Sequence, residues 1–239
     1  MNERHVHLTP RLSVASEMLR GYEIIADIGC DHGRLVAALL QSGACNRVIA
    51  SDISEPSLDK ARELIRYIGL SDRVSFRVGD GCAVLHPCEC QAIAMLGIGG
   101  TLMCRILDAC DVPLMGAECA VLQPMRAQDN IRRYLHRKCY HIVEDRIVND
   151  HGRLYQVFKA VPGKSIEPLP EGFPVAFYDV GYRSFADRDP RLSALCRQQL
   201  KYHEINLADN RGTAGESYIR TKVHALRQIL AQIEQGETI

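Results

Sequence analysis

The chain has 239 residues, enough for one α/β domain of ordinary size with a small additional unit. Hydrophobic residues make up 46% of it, so the sequence can form a packed core and is not that of a disordered protein. The 29 Lys and Arg residues balance 29 Asp and Glu residues, which excludes nucleic-acid binding driven by net charge. An RNA or DNA partner would need a local basic surface.

The 10 cysteines are scattered along the chain, and several lie within apolar segments. We recognise no leader peptide, and no apolar run reaches the roughly 20 residues of a membrane-spanning helix. We therefore expect a cytoplasmic protein with reduced thiols. His86, Cys88 and Cys90 could supply three metal ligands, but their spacing is not that of a structural zinc site, and we expect no bound metal.

Strand and helix patterns alternate over the first two thirds of the chain. Thr9 with Pro10, and Ser54 with Pro56, are typical of helix starts. Further helices are predicted over residues 33–41, 101–109 and 127–140, and strands over residues 23–28, 47–52, 73–78, 91–96 and 118–124. This alternation predicts a parallel sheet with right-handed crossovers.

The pattern changes after residue 140. Two alternating apolar runs flank Asn-Asp-His-Gly in residues 141–161 and predict a β-hairpin. A proline-rich linker follows, and then a helical hairpin whose second helix repeats apolar residues three and four apart. We predict a Rossmann-like α/β domain over residues 1–162, mostly parallel with an antiparallel terminal hairpin, and a linker with a C-terminal helical hairpin or coiled coil over residues 163–239.

The stretch IADIGCDHGRLVA, residues 25–37, has the strand–turn–helix pattern of a nucleotide-binding site. Its glycine spacing differs from that of a dinucleotide site, and Asp27 and Asp31 would repel a pyrophosphate. The same carboxylates would attract the ammonium and sulfonium groups of S-adenosylmethionine. The charge pattern therefore favours S-adenosylmethionine over NAD as the cofactor.

Other candidate ligand contacts end the neighbouring strands. Asp52 ends the second strand and is placed to accept the hydroxyls of a ribose, while Asp80 and Gly81 follow the third strand and suit the exocyclic amine of an adenine. The turn LGIGG, residues 96–100, ends the fourth strand and would lie beside the reactive end of the ligand. Ligands of open α/β sheets bind at this edge, so these elements predict one site.

Six stretches in order resemble the bacterial tRNA (adenine-22-N1)-methyltransferase family, a group of class I S-adenosylmethionine-dependent methyltransferases: LTPRLSVASEM, ADIGCDH, VGDG, LGIGG, LQP and DHGRLYQV. The resemblance implies methyl transfer to N1 of an adenosine in the D-arm of tRNA, by a catalytic domain that carries a C-terminal helical domain. It implies cofactor contacts at Arg11, Asp27, Gly29, Asp31, His32, Asp52, Ile53, Asp80, Gly81 and Gly97. The chain departs from the family pattern at Cys30, Gly33, Leu96 and Ile98, which bears on substrate choice.

The candidate substrate contacts lie beside the expected target base or on a basic helix: Gly99, Gly100, Gln123, Pro124, Arg132 and Arg133. The two glycines would make room for the base. The arginines belong to the basic stretch IRRYLHRK, which could contact tRNA phosphates. We expect a monomer with tRNA as its partner.

Asp31 is the one candidate catalytic residue, and we expect it to act through cofactor placement. Adenine N1 already carries a lone pair, so no general base is named. Two other functions stay open at this point: methyl transfer to another RNA or a small molecule, and a non-catalytic cofactor- or RNA-binding module. The helical appendage argues against a small-molecule substrate, and the full set of cofactor residues argues against a module without activity.

Overall fold

The computed structural model describes residues 6–110, 112–165 and 174–235. The strands are Ile24–Ile28 (β1), Arg47–Asp52 (β2), Val74–Val78 (β3), Ala92–Ile98 (β4), Cys119–Pro124 (β5), Tyr140–Asp150 (β6) and Arg153–Pro162 (β7). The helices are Pro10–Met18 (α1), Arg34–Gln41 (α2), Glu55–Tyr67 (α3), Gly100–Asp108 (α4), Gln128–Arg137 (α5), Phe177–Val180 (α6), Tyr182–Ala186 (α7), Leu192–Asp209 (α8) and Glu216–Gln235 (α9).

Within the described ranges the strands form one seven-stranded sheet in the order β3-β2-β1-β4-β5-β7-β6. The first five strands are parallel, while β7 pairs antiparallel with both β5 and β6. The predicted parallel sheet with an antiparallel terminal hairpin is therefore confirmed. The strand order reverses between β1 and β4, and a crevice for ligands opens at the carboxyl ends of strands at such a point.

Apolar side chains cover both faces of the sheet. One core lies between the sheet and helices α1, α2 and α3, and includes Leu39 and Leu58. The second lies beneath α4 and α5 and includes Met103 and Phe158. Burial on both faces is why β1, β2 and β4 read as nearly continuous apolar runs rather than alternating ones.

The C-terminal helices form a third apolar cluster, which extends from α8 and α9 to Ile147 on β6. The antiparallel pair α8 and α9 is as predicted, and Val223, Leu226 and Leu230 of the predicted seam are buried. The short helices α6 and α7 were not predicted, because four or five residues are too few to show a helical period in the sequence. Their apolar residues belong to this cluster. The domain boundary at residue 162 stays a prediction, and most of the predicted proline-rich linker lies outside the described residues.

Helix starts follow the predicted residues with one difference. Ser54 caps α3, because its Oγ accepts a hydrogen bond from the Ser57 amide at 3.3 Å. Thr9 precedes α1, but its side chain makes no capping bond. Pro10 alone supplies the local preference there, through its fixed φ. No helix in the described ranges is long and apolar enough to cross a membrane.

Candidate active-site cleft

A cleft of about 670 Å³ opens at the carboxyl ends of β1, β2 and β4. The structure brings all ten residues that were predicted to contact the cofactor to its lining: Arg11, Asp27, Gly29, Asp31, His32, Asp52, Ile53, Asp80, Gly81 and Gly97. The volume lies in the usual range of cofactor and small-ligand sites, ~300–1000 Å³. Contact with a cofactor stays a prediction for each of these residues.

The turn after β1 is held by backbone bonds to the neighbouring strand. The amides of Gly29 and Cys30 both donate to the Ser51 carbonyl, at 2.8 and 2.9 Å. Asp31 has a left-handed φ of 48°, which an L-residue other than Asn or Asp adopts at greater cost. Gly33 begins α2 with a φ of 70°, and an added Cβ there would lie 2.9 Å from Ala61 Cβ. The departure from the family pattern at Gly33 therefore lets α2 pack tightly on α3.

Asp27 forms the buried floor of the cleft, with 3% of its surface exposed. The pKa of its carboxyl group is raised to about 7, mainly by burial and to a smaller extent by the nearby charge of Asp52. Among the described residues, Asp27 forms no ion pair with a basic side chain. A cationic ligand would supply a positive charge, whereas a phosphate would add to the repulsion.

Asp52 ends β2 and forms a hydrogen bond with the turn that follows β1. Its Oδ2 accepts the Asp31 amide at 3.1 Å and its Oδ1 accepts the Ser54 amide at 2.9 Å. These bonds fix the carboxylate at the end of β2, where each oxygen keeps a further lone pair for a ligand hydroxyl. Ile53, the next residue, is 73% exposed at the rim of the cleft. An exposed isoleucine beside a carboxylate suits the apolar face of a nucleoside.

Backbone irregularities shape the other walls. Gly81 has a φ of 55°, and a Cβ there would lie 2.9 Å from two side-chain carbons of Ile106. Gly97 has a φ of 78° and sits where the register of β4 with β5 shifts between Leu96 and Ile98. This bulge turns the end of β4 into the cleft. Gly81 and Gly97 are therefore required by backbone conformation.

Asp31 and His32 point toward solvent rather than into the buried floor. Their side chains are 68% and 49% exposed and approach each other at 2.6 Å between Oδ1 and Nδ1. Nε2 of His32 lies 3.3 Å from Nζ of Lys60 on α3. The pair lines the mouth of the cleft, and the catalytic role predicted for Asp31 stays a prediction.

Arg11 is a fixed cation on the opposite wall. Its Nε lies 3.3 Å from Asp150, its Nη1 donates to Gln123 at 3.0 Å, and the guanidinium lies 5.1 Å from the ring centre of Tyr155. Sequence reasoning missed Asp150 and Tyr155, which hold Arg11 at the cleft. The motif DHGRLYQV contains both, so the signal was present, but only the antiparallel placement of β7 beside β5 brings the hairpin to the cleft.

The residues predicted to contact the substrate differ in exposure: some line a cleft, and others are buried. Gly99 lines a second cleft next to the first, but Gly100 is buried, and a Cβ there would lie 2.2 Å from the Ala127 carbonyl oxygen. Gln123 and Pro124 are buried at the end of β5. Gln123 supports Arg11 instead of facing a ligand. Gly100, Gln123 and Pro124 thus lie beneath the surface of the site and support the residues that line it.

The expectation that Arg132 contacts RNA does not fit its position and is corrected here. The side chain is 3% exposed and pairs with Asp145 at 2.6 Å, and it also donates to Gln156 at 2.6 Å. Arg133 is half-buried; it donates to Tyr218 of α9 and lies 4.3 Å from the ring centre of Tyr178. The basic stretch therefore joins the sheet domain to the C-terminal helices, because one face of the amphipathic α5 is covered by them.

The possible metal ligands do not come together. Cys90 is buried while His86 and Cys88 are exposed, and the His86 amide donates to Glu89. Among the residues that the structure describes, no group of three or more His, Cys, Asp or Glu side chains could hold a metal ion.

Comparison with known proteins agrees with this geometry. A family model described as a methyltransferase domain matches residues 8–158. The tRNA (adenine(22)-N(1))-methyltransferase of Bacillus subtilis (strain 168) is 32% identical over 163 residues, which are 68% of each chain. A ribosomal protein L11 methyltransferase of Syntrophomonas wolfei is 29% identical over 109 residues, 45% of this chain and 35% of that protein.

Solved structures share the whole architecture. A protein of the NADB-Rossmann superfamily from Streptococcus agalactiae superposes with a TM-score of 0.84 at 21% identity, covering 96% of this chain and 100% of that one. The 1-methyladenosine-22 tRNA methyltransferase of B. subtilis superposes with a TM-score of 0.76 at 24% identity, covering 96% and 98%. The coverage shows that the C-terminal helices belong to the shared fold.

The strand order, the antiparallel hairpin and the acidic cleft at the switch point define a class I S-adenosylmethionine-dependent methyltransferase. Within this class, the sequence match extends from the first helix through the hairpin and includes more than two thirds of the curated relative. The chain belongs to the tRNA (adenine(22)-N(1))-methyltransferase family.

Proposed function

We propose that this protein transfers a methyl group from S-adenosylmethionine to N1 of adenosine 22 in tRNA, the activity named for its B. subtilis relative. The observation that carries the cofactor assignment is Asp27, a buried carboxylate with a pKa of about 7 on the floor of the cleft. This donor set fits an ammonium and a sulfonium, and it does not fit a pyrophosphate.

We assign the cofactor contacts by charge and shape. Asp27 and the backbone turn at Gly29 would hold the methionine part, with the first amides of α2 nearby. Asp52 would accept the ribose hydroxyls, and Ile53 would cover one face of the adenine. Asp80 would accept the exocyclic amine. When bound, S-adenosylmethionine supplies an electrophilic methyl group on a sulfonium that leaves as the neutral thioether of S-adenosylhomocysteine.

The protein's contribution to the reaction is alignment and exclusion of water. Because adenine N1 already carries a lone pair, the residues of the cleft would have to orient the base toward the methyl group and would not have to remove a proton first. The bulge at Gly97 and the backbone at Gly99 leave room for the incoming base, and Met125 closes the apolar side. The methylated adenine would carry the positive charge, and any later loss of a proton from its exocyclic amine could go to water. Arg11 would lie near the site as a fixed charge held by Asp150.

N1 lies on the Watson–Crick edge, so the target adenosine must be unpaired or rotated out of its stack before transfer. We propose that the protein acts on tRNA in the cytoplasm as a monomer. Methylation of a small molecule is the alternative function. The wide second cleft beside Gly99 favours a macromolecular substrate over it.

The activity is tested with S-adenosylmethionine labelled in its methyl group and two tRNA transcripts that differ at position 22. The expected result is 1-methyladenosine in the transcript with adenosine 22 and background label in the one with guanosine 22. Equal label in both transcripts would show a different target nucleotide. Label only in small molecules would favour the alternative function, and cofactor binding without any transfer would indicate a binding module.

Asp52→Ala is expected to weaken S-adenosylmethionine binding at least tenfold, about 1.4 kcal/mol, because the ribose loses its acceptor. Titration calorimetry at constant pH measures the change. Asp59→Ala is the matched control, since Asp59 is an exposed carboxylate of α3 that pairs with Arg62 outside the cleft. An unchanged dissociation constant for Asp52→Ala would place the ribose elsewhere.

A further inference from the structure

A second cleft, of about 830 Å³, lies between the sheet domain and the C-terminal helices. Leu102 and Met125 line both this cleft and the cofactor cleft, so the two form a continuous surface. Gly99 and Arg126 lie at the junction, and Tyr202 of α8 and Tyr218 of α9 form the far wall. A molecule in the second cleft would therefore extend directly from the place where the reacting base is expected.

The charge of this cleft suits a polyanion. Arg105, Arg126 and Arg153 line it; all three are exposed, and none forms an ion pair with a carboxylate in the described part of the chain. Two carboxylates, Asp129 and Asp179, also line the cleft and share one lysine. Lys222 contacts Asp129 at 2.6 Å and Asp179 at 2.9 Å. With Lys222, the lining has four cationic side chains against two carboxylates, so the net charge of the cleft is positive.

Aromatic rings are the other notable part of the lining. Tyr202 is 58% exposed and Tyr218 is 46% exposed, although both face a concave surface. Tyr155 lies across the cleft, 5.2 Å from the guanidinium of Arg153. Tyrosines beside arginines are the side chains that proteins use to stack unpaired bases and contact the phosphates between them.

We propose that the second cleft binds the unpaired nucleotides next to the target adenosine, with a base stacked on Tyr202 and phosphates on Arg105 and Arg126. This inference rests on the proposed function and names its RNA subsite. Rotation of the target base out of its stack exposes the bases of the adjacent nucleotides, and the second cleft would bind these nucleotides while they are unstacked. Tyr202 is then a substrate-binding residue that lies on the C-terminal helices, away from the cofactor.

The test compares Tyr202→Ala, Tyr202→Phe and Ile205→Ala in the full chain. Ile205 is the matched control, because it is 55% exposed on the same helix and does not line the cleft. We expect Tyr202→Ala to raise the KM for tRNA about 5- to 150-fold and Tyr202→Phe to retain most of the affinity, since stacking needs the ring and not the hydroxyl. The Kd for S-adenosylmethionine should stay unchanged in all three.

Salt dependence tests the phosphate contacts. Arg126→Ala should lower the slope of log affinity for tRNA against log salt by about 0.7, the value for one contact with a single strand. A normal KM in Tyr202→Ala together with a normal slope in Arg126→Ala would overturn the inference while wild-type protein still methylates tRNA. If wild-type protein transfers no methyl group to tRNA, the proposed function itself fails.

Discussion

Replacing Arg132 by methionine is expected to lower the free energy of unfolding by roughly 3–5 kcal/mol, because Asp145 would stay buried without its partner. The two side chains are 3% and 1% exposed and 2.6 Å apart. Burial already raises the pKa of Asp145, and Arg132 offsets part of that effect. For a chain of this size the melting temperature should fall by roughly 6–20 °C.

Two variants make this prediction specific. Arg137→Met changes an exposed arginine of the same helix and should alter stability by less than about 0.5 kcal/mol. Arg132→Met combined with Asp145→Leu removes both charges, so much of the lost stability should return. Denaturant titration at pH 8 gives the values. A loss of under about 1 kcal/mol in the single variant would mean that Asp145 finds another partner or a proton at little cost.

The contribution of Asp27 to cofactor affinity should fall about tenfold between pH 8 and pH 6, because protonation of Asp27 removes the negative charge from the floor of the cleft. Its pKa of about 7 lies in the middle of that interval. The amino group of the ligand gains a proton over the same range, which acts in the opposite direction. Calorimetry on wild type and Asp27→Asn in parallel separates the two, since the variant keeps only the second effect.

The same residue should affect stability with the opposite sign. The folded-state pKa of Asp27 is raised from 3.8 to about 7, so the stability associated with the protonated form is present below pH 4 and is lost as pH rises through 7. The difference corresponds to roughly 4 kcal/mol. Asp27→Asn should therefore be more stable than wild type at pH 8 in the absence of ligand, while binding the cofactor more weakly. Equal pH dependence in the two proteins would show that another group titrates.

Much of the candidate site follows from local sequence because its residues stand at strand ends. Asp27, Asp52 and Asp80 each follow an apolar run, and parallel strands place their carboxyl ends at one edge. The alternation of strands and helices is a local property too. These regularities predicted the acidic residues of the cleft, whereas Arg11, His32 and Ile53 were predicted from the family resemblance.

Local sequence was misleading where burial depended on distant packing. Arg132 belongs to a basic stretch that reads as a surface, yet α5 is covered on that side by β6, β7 and the turn at Gly181. Lys222 is a similar case, because this lysine of α9 is buried and pairs with both Asp129 and Asp179. Helical period shows which residues share a face, but it does not show what will cover that face.

The sequence by itself determined the class of sheet, the acidic turn and hence the charge of the ligand, because these depend on residues close together in the chain. The tertiary structure alone decided that Arg11 meets Asp150 and Tyr155, and that a second cleft joins the first. Those contacts join segments more than a hundred residues apart. The register of β7 on β5 and the docking of α8 and α9 bring them together, and no local pattern specifies either.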